Sequence, residues 1–368
     1  MTLQRQMAFW TAALVILILA LWLLGDIMLP FIAGLVLAYF LDPVADALER
    51  LGLPRLAATL LILIASIVAI VALLVLLLPV LGDQIARFAS NLPSLVKALV
   101  KLFEDLAPQW LKDMVAASGT SPQASLSDLA GKAAGWVAAI LTSILSGSLA
   151  LVNVISLLVV TPIVAFYMLN DWDHMVAKVD GWLPRDHHTA IRGLARQIDE
   201  AMAGFIRGQG TVCLSLGVFY AAALSLAGLN FGLLIGLGAG LLSFIPYVGT
   251  IIGGVLAIGM ALIQFWPDWV QILIIIGIFV AGQFIEGNFL SPYLVGNRIG
   301  LHPVWLMFAL FAFGYLFGFV GLLLAVPLAA AVGVLTRFAL QQYLKSPLYL
   351  GVPTQQKPAQ PKRRSSSK

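Results

Sequence analysis

Ionisable side chains are scarce along most of this sequence, which makes the few beside apolar runs the first candidates for chemistry. Glu286 stands in Gln283-Phe-Ile-Glu286-Gly-Asn288, just past a long apolar stretch. A charge near lipid is expensive and marks a functional position by default. Gly287 and Ser291-Pro292 follow, then Arg298 in Gly296-Asn-Arg298-Ile-Gly300, then His302. These residues interrupt a helix, and an interrupted helix frees carbonyl and N–H groups that can coordinate a polar solute or ion. On one reading, Glu286 is a proton- or cation-binding carboxylate, and Gln283 and Asn288 line the same pathway. On the other, Glu286 sits in an interfacial loop, paired with Arg298 and wetted by water. Composition leaves both open.

Phe244-Ile-Pro246-Tyr247-Val-Gly249 is the second constellation. Proline removes a backbone donor and clashes one turn back, so a helix must break there. Gly249 permits a tight reversal, and Tyr247 brings a hydroxyl. The segment is either the tip of a re-entrant hairpin or a loop between two full spans. Arg207-Gly208-Gln209 marks a third position, where a polar region meets an apolar one. Arginines there usually snorkel to phosphates; a gating or substrate role is the sharper alternative. Gly236-Leu-Gly-Ala-Gly240 and Gly253-Gly254 read as close helix packing, without the setting of a phosphate loop. His174, His187 and His188 lack metal-ligand spacing, and neither Gly-x-Ser-x-Gly nor a Walker motif occurs. No catalytic residue, metal or cofactor is expected, and the chain does not read as an enzyme. The single cysteine, Cys213, lies in an apolar stretch and reads as packing.

The elements that hold these residues follow from composition. Sixty-one per cent of residues are apolar and 10% are charged, against about 25% charged in soluble domains. Residues 7–24, 56–82, 133–170, 208–267 and 299–336 contain no Asp, Glu, Lys or Arg. About 20 apolar residues in a helix cross the hydrocarbon core. Runs such as 60–78 do not alternate as barrel strands would, so the expectation is an all-α, polytopic helical membrane protein. It has about six full spans plus two broken or re-entrant hairpins. The isoelectric point near 9.2 owes much to the tail, and no basic stripe suggests nucleic acid.

Six segments are expected. Residues 1–82 hold helices 1–3, including a retained first anchor, a hairpin turn at Gly25-Asp26, a polar loop over 42–55 and a third span over 56–81. Residues 83–132 form amphipathic helices outside the bilayer, with Leu92, Leu95, Leu99, Leu102, Phe103 and Leu106 at helical spacing. Residues 133–170 hold helix 4, residues 171–208 a polar helical segment, residues 209–345 a core with two broken hairpins, and residues 346–368 a disordered basic tail. Arg5, Arg50, Arg55, Arg337 and Lys345 flank span ends on one side, which the positive-inside rule makes cytoplasmic, with both termini. The hairpins then enter from opposite sides, an inverted arrangement of the kind many secondary transporters use.

Several motifs carry a resemblance: Thr161-Pro-Ile-Val-Ala-Phe-Tyr167 with Asn170-Asp171, Phe205-Ile-Arg-Gly-Gln209, Phe244-Ile-Pro-Tyr-Val-Gly249, Gln283-Phe-Ile-Glu-Gly-Asn288 with Pro292, Leu301-His-Pro303, and Phe317-Gly-Phe-Val-Gly321 with Pro327-Leu328. In their order and spacing the chain resembles the autoinducer-2 exporter (AI-2E) family, also called PerM-type permeases, over about residues 5–345. Thr250 stands where members often have proline, and the tail has no counterpart. The resemblance implies a bacterial inner-membrane transporter, a homopentamer, and an elevator-like movement of the broken-helix unit. It associates some members with export of the furanone autoinducer-2 and others with Na+(Li+)/H+ antiport. The expected function is export of a small polar solute, autoinducer-2-like, through the broken helices. The alternatives are a monovalent cation/proton antiporter and a scaffolding membrane protein. The lipid bilayer is the expected surrounding.

Overall fold

The computed structural model of the chain describes residues 23–106, 108–109, 132, 135, 148–295 and 302–350. Every regular element among these residues is helical. Among the described residues, six helices are long and apolar enough to cross a membrane. The protein is a polytopic helical membrane protein.

Helix α1 (Gly25–Arg50) runs through Pro30 and Pro43. It does not stop at the loop expected over 42–55. Asp42, Asp46 and Glu49 are spaced to share one helix face, and polar side chains that share a face do not interrupt a helix. The chain turns only at Leu51-Gly52, where Gly52 takes φ 97°, the left-handed conformation that ends many helices. Helix α2 (Arg55–Leu106) is one 52-residue helix containing Pro79 and Pro93. The expected boundary at residues 82–83 is therefore no backbone break. Charges return after Gly82 while the hydrogen-bond ladder continues, so the composition records a change of surroundings. The amphipathic pattern beyond residue 106 lies largely outside the described residues, as do the first anchor, the tail and Arg298.

Helix α3 (Ser148–Asn170) packs on α1 and α2 around Ala38, Ala45, Ile62, Leu63, Ala165 and Leu169. A short helix α4 (Trp172–Gly181) and a 3-10 turn (Arg185–His187) lead into α5 (His188–Leu226). The amphipathic segment after Pro184 and the expected fifth span are thus a single 39-residue helix. At 1.5 Å per residue it is about 58 Å long, and it is the post on which the rest is hung.

The chain reverses at Gly228 into α6 (Gly232–Leu242), breaks at residues 243–247, and continues as α7 (Val248–Phe265). Helix α6 runs antiparallel to α5 at backbone contact. A Cβ on Gly236 would stand 2.5 Å from Ala221 Cα, and one on Gly240 would overlap Gly217 and sit 2.9 Å from the Cys213 carbonyl. The two ends of this hairpin meet again: Gln264 accepts from the Asn230 N–H at 2.7 Å and donates to the Gly228 carbonyl at 2.7 Å. Its tip reaches the middle of α5, where Gln209 donates to the Ser243 carbonyl at 2.6 Å.

Helix α8 (Trp269–Ile285) starts beside that clipped end, with Asp268 capping the N–H groups of Val270 and Gln271. The polar break expected over 286–300 is, as far as Val295, a π-helix (Glu286–Val295) containing Pro292. The wider i→i+5 register absorbs Gly287 and Pro292 without unwinding the chain. Helix α9 (Pro303–Lys345), capped by His302 Nδ1, is bent into two legs at Gly318 (φ 59°, ψ −138°). The legs fold back on each other, so that a Cβ on Gly321 would strike the Phe313 carbonyl carbon at 2.6 Å. A terminal turn, α10 (Pro347–Leu350), closes the described chain.

The core of α5 to α8 centres on Val212, Leu216, Tyr220, Leu224, Ile275 and Phe279. Hairpin α9 meets it through Val326 against Phe205 and Ile206, and through Leu310 and Ala325 against Ile245. The first hairpin is clipped at the Leu226 end of α5. On the second hairpin, Val334 and Arg337 line a cavity with Arg207, near the middle of α5.

Candidate functional site

Three polar groups lie along α5. The central one joins α5 to the π segment. Gln283 Nε2 donates to Glu286 Oε2 at 2.9 Å and to the Tyr220 hydroxyl at 3.3 Å. Tyr220 is 1% exposed, and its ring stacks on Phe279 with centroids 4.5 Å apart. Gly282 makes this possible, because a Cβ there would lie 2.5 Å from the Tyr220 ring. Glu286 is half-buried and, within electrostatic reach, faces Cys213 and Tyr220 from α5. Asn288 is exposed and donates back to the Phe284 carbonyl at 3.0 Å, and Pro292 is exposed within the π segment.

The hairpin tip meets α5 at Gln209, about 16 Å along the axis from Tyr220. Gln209, 8% exposed, holds the Ser243 carbonyl, while the Ser243 hydroxyl donates to Ala239 at 2.8 Å. A Cβ on Gly249 would strike the Ser243 hydroxyl at 2.5 Å, so only glycine lets α7 start here. Tyr247 precedes it at φ 69° and is half-exposed, and Pro246 terminates the α6 ladder. Gln209 and Cys213 are consecutive turns of α5, about 6 Å apart along the axis. Glu286 therefore acts electrostatically on the turn of α5 next to the one that holds the tip.

Arg207 belongs to the third group. Its Nε donates to the Tyr39 carbonyl at 2.6 Å and its guanidinium pairs with Asp42 at 3.0 Å. Tyr39 in turn donates to Asp199 at 2.7 Å. Asp42 also receives Arg55 at 3.0 Å, and Arg55 reaches Asp46 (2.7 Å), Glu49 (3.2 Å) and the Leu169 carbonyl (2.9 Å). This clasp borders a cavity of about 760 Å³ lined by Trp172, Gln197, Glu200 and Arg337 among others. A smaller cavity of about 440 Å³ opens at the other end, between α2 and the clipped end of the first hairpin, lined by Gln84, Asn91, Asn230 and Phe231.

Of the residues singled out from sequence, Gln283 and Glu286 come together. Pro246, Tyr247, Gly249 and Gln209 come together at the tip, and Arg207, also on α5, stands apart against Tyr39 and Asp42 of α1. Tyr220, Ser243, Tyr39, Asp42 and Asp199 were missed. A buried tyrosine on an apolar face reads as core, and the Arg207–Asp42 pair spans 165 positions of sequence. Among the described residues no group of three His, Cys, Asp or Glu side chains gathers as a metal site requires.

The sequence has relatives. The pattern of the AI-2E family transporter matches residues 12–341. The chain belongs to the AI-2E transporter family. It is 29% identical over 318 residues to YrrI of Bacillus subtilis (strain 168), covering 85% of this chain and 87% of that one. To YueF of the same organism it is 26% identical over 352 residues, covering 90% and 92%. To PerM of Escherichia coli (strain K12) it is 25% identical over 334 residues, covering 84% and 86%. The first two are provisionally named transport proteins and the third a permease. This AI-2E family member is thus a membrane protein of transporter type, and the residues at its two helix breaks fall within the matched span.

Proposed function

We propose that the protein is a secondary transporter that moves a small polar solute, of the autoinducer-2 kind, past the two broken helices, with Glu286 coupling the movement to protons. The observation that carries this reading is the half-buried Glu286, held by Gln283 beside the fully buried Tyr220 on the same helix, α5, whose Gln209 holds the Ser243 tip. A carboxylate in such a place is expensive while charged and far less so when neutral. Taking up a proton lets the surrounding helices move through lipid-like surroundings without dragging a bare charge. The end bearing Arg55, Arg207 and Arg337 faces the cytoplasm of the bacterial inner membrane on the positive-inside argument, and the protein works as a homo-oligomer.

The test is flux in proteoliposomes, with autoinducer-2, Na+ and protons assayed in parallel. Glu286→Gln is expected to abolish proton-coupled flux while leaving the protein folded. Coupled flux at the wild-type rate in that variant refutes the role of Glu286. Na+-driven proton movement without solute flux supports cation/proton antiport instead.

A further inference from the structure

We infer that the Gln283 side-chain amide turns over when Glu286 gains a proton, so that the pathway is offered a hydrogen-bond donor in place of an acceptor. The inference rests on the proton-coupling role proposed for Glu286 and extends it to how the proton is sensed.

The argument is one of donors and acceptors. A charged Glu286 only accepts, so the Gln283 NH2 must face it, as it does at 2.9 Å. The same nitrogen lies 3.3 Å from the Tyr220 hydroxyl. Its two hydrogens are then both committed, and Tyr220 is forced to accept. The Tyr220 O–H proton, on a side chain only 1% exposed, is left with no acceptor among the described residues. An unmade buried hydrogen bond is unfavourable. When the Glu286 carboxylate takes one proton from the aqueous side, its new O–H can donate toward Gln283, provided that an acceptor stands there in place of the NH2. Rotating the amide by half a turn places Oε1 where Nε2 had been. That oxygen has two lone pairs, enough to accept from both the Glu286 acid and the Tyr220 hydroxyl. All three groups are then satisfied, and only the amide oxygen and nitrogen exchange places.

The other face of the amide carries the consequence. Gln283 Oε1 has no protein partner among the described residues and is not among the buried unpaired atoms, so it is open to its surroundings. After rotation the NH2 takes that place. The charged state presents a carbonyl, suited to a hydroxyl or amine donor on the cargo. The neutral state presents N–H, suited to an oxygen acceptor. One proton thereby changes which chemical face of a solute is held. The titratable neighbours of Glu286 are Cys213 and Tyr220, both from α5; no charged group faces it among the described residues.

Infrared difference spectroscopy of the purified full-length protein, recorded against pH, tests this. The carboxyl band lost in Glu286→Gln reports protonation, and the phenol C–O band lost in Tyr220→Phe reports whether that hydroxyl donates or accepts. In the wild type the two bands are expected to change together, over the same pH range. In Glu286→Gln, whose amide can donate as the acid would, the Tyr220 band should hold its low-pH position at every pH. In Gln283→Leu it should lose its pH dependence while the Glu286 band still titrates. A Glu286 band that titrates in the wild type while the Tyr220 band stays still overturns the inference and leaves the coupling role standing. Coupled flux surviving in Glu286→Gln overturns both. Tyr220→Phe keeps the ring on Phe279, so its fold serves as the control.

Discussion

The α5–α6 seam makes a sharp prediction for Gly240→Ala. The new Cβ would overlap Gly217 and stand 2.9 Å from the Cys213 carbonyl, all of it backbone and none able to swing away. Carbon atoms settle about 3.5–4.0 Å apart, so the two helices must part by at least about 1 Å. The Gln209–Ser243 hydrogen bond, 2.6 Å in the native protein, stretches by that much and is lost. Overpacking costs about 1–3 kcal/mol, and a buried carbonyl left without its donor about 1–3 kcal/mol more. Cys213, the chain's one cysteine, is buried on this seam and so reports its opening without ambiguity. Maleimide labelling of the purified variant is expected to be at least about tenfold faster than wild type, since 1.4 kcal/mol of local opening is about a factor of ten. The midpoint of thermal unfolding should fall with it. Gly238→Ala is the control, because nothing lies within 4 Å of its added Cβ. Equal labelling of the two variants would refute the claim that contact at Gly240 holds the tip in place.

Two further outcomes follow from the charged groups. Asp42→Asn removes the carboxylate that Arg55 and Arg207 share, and because Asp42 and Arg207 are each 37% exposed the loss is modest, about 1 kcal/mol. Thermal melts at low salt should show it, the gap to wild type should narrow at high salt, and an unchanged melt at low salt counts against the clasp. On α4, hydrogen bonds from the Arg192 guanidinium, aided by the Arg192 and His188 charges, hold the partly exposed Asp180 carboxyl at about 2, below its usual 3.8. A depressed carboxylate stabilises the fold above its unfolded value, so this link is complete above 3.8 and is lost as pH falls through about 2. Hydrogen exchange of residues 172–181 should rise over that window in wild type and be flat in Asp180→Asn.

How far the sequence carries the fold depends on the range over which each signal acts. Pro246 and the glycine beyond it are local punctuation, and the hairpin tip lies where they put it. Gly318 likewise marks the second reversal. Gly287 and Pro292 are the same kind of signal, yet there the helix widens into a π register, because that choice depends on how residues 286–295 pack on α5. The polar residues from Asp42 to Arg55 suggested a loop because their partners were not in view. Arg55 comes from the next helix, and Arg207 is 165 positions away. The same distance hid the role of Tyr220, since its link to Gln283 spans 63 positions and is visible only once α8 lies on α5.

Helix α2 has one more consequence, a mechanical one. Its root is fixed by the Arg55 clasp, and 29 residues further on Gln84 accepts from the Leu234 N–H at 3.1 Å. Those residues make a mast about 44 Å tall, so each degree of lean carries Gln84 sideways by about 0.8 Å. A few degrees are enough to let go of the α6 entrance. Lean is what a long apolar helix adopts when the bilayer is thinner than the helix. A bilayer thin enough to tilt this helix would therefore strain the Gln84–Leu234 contact first.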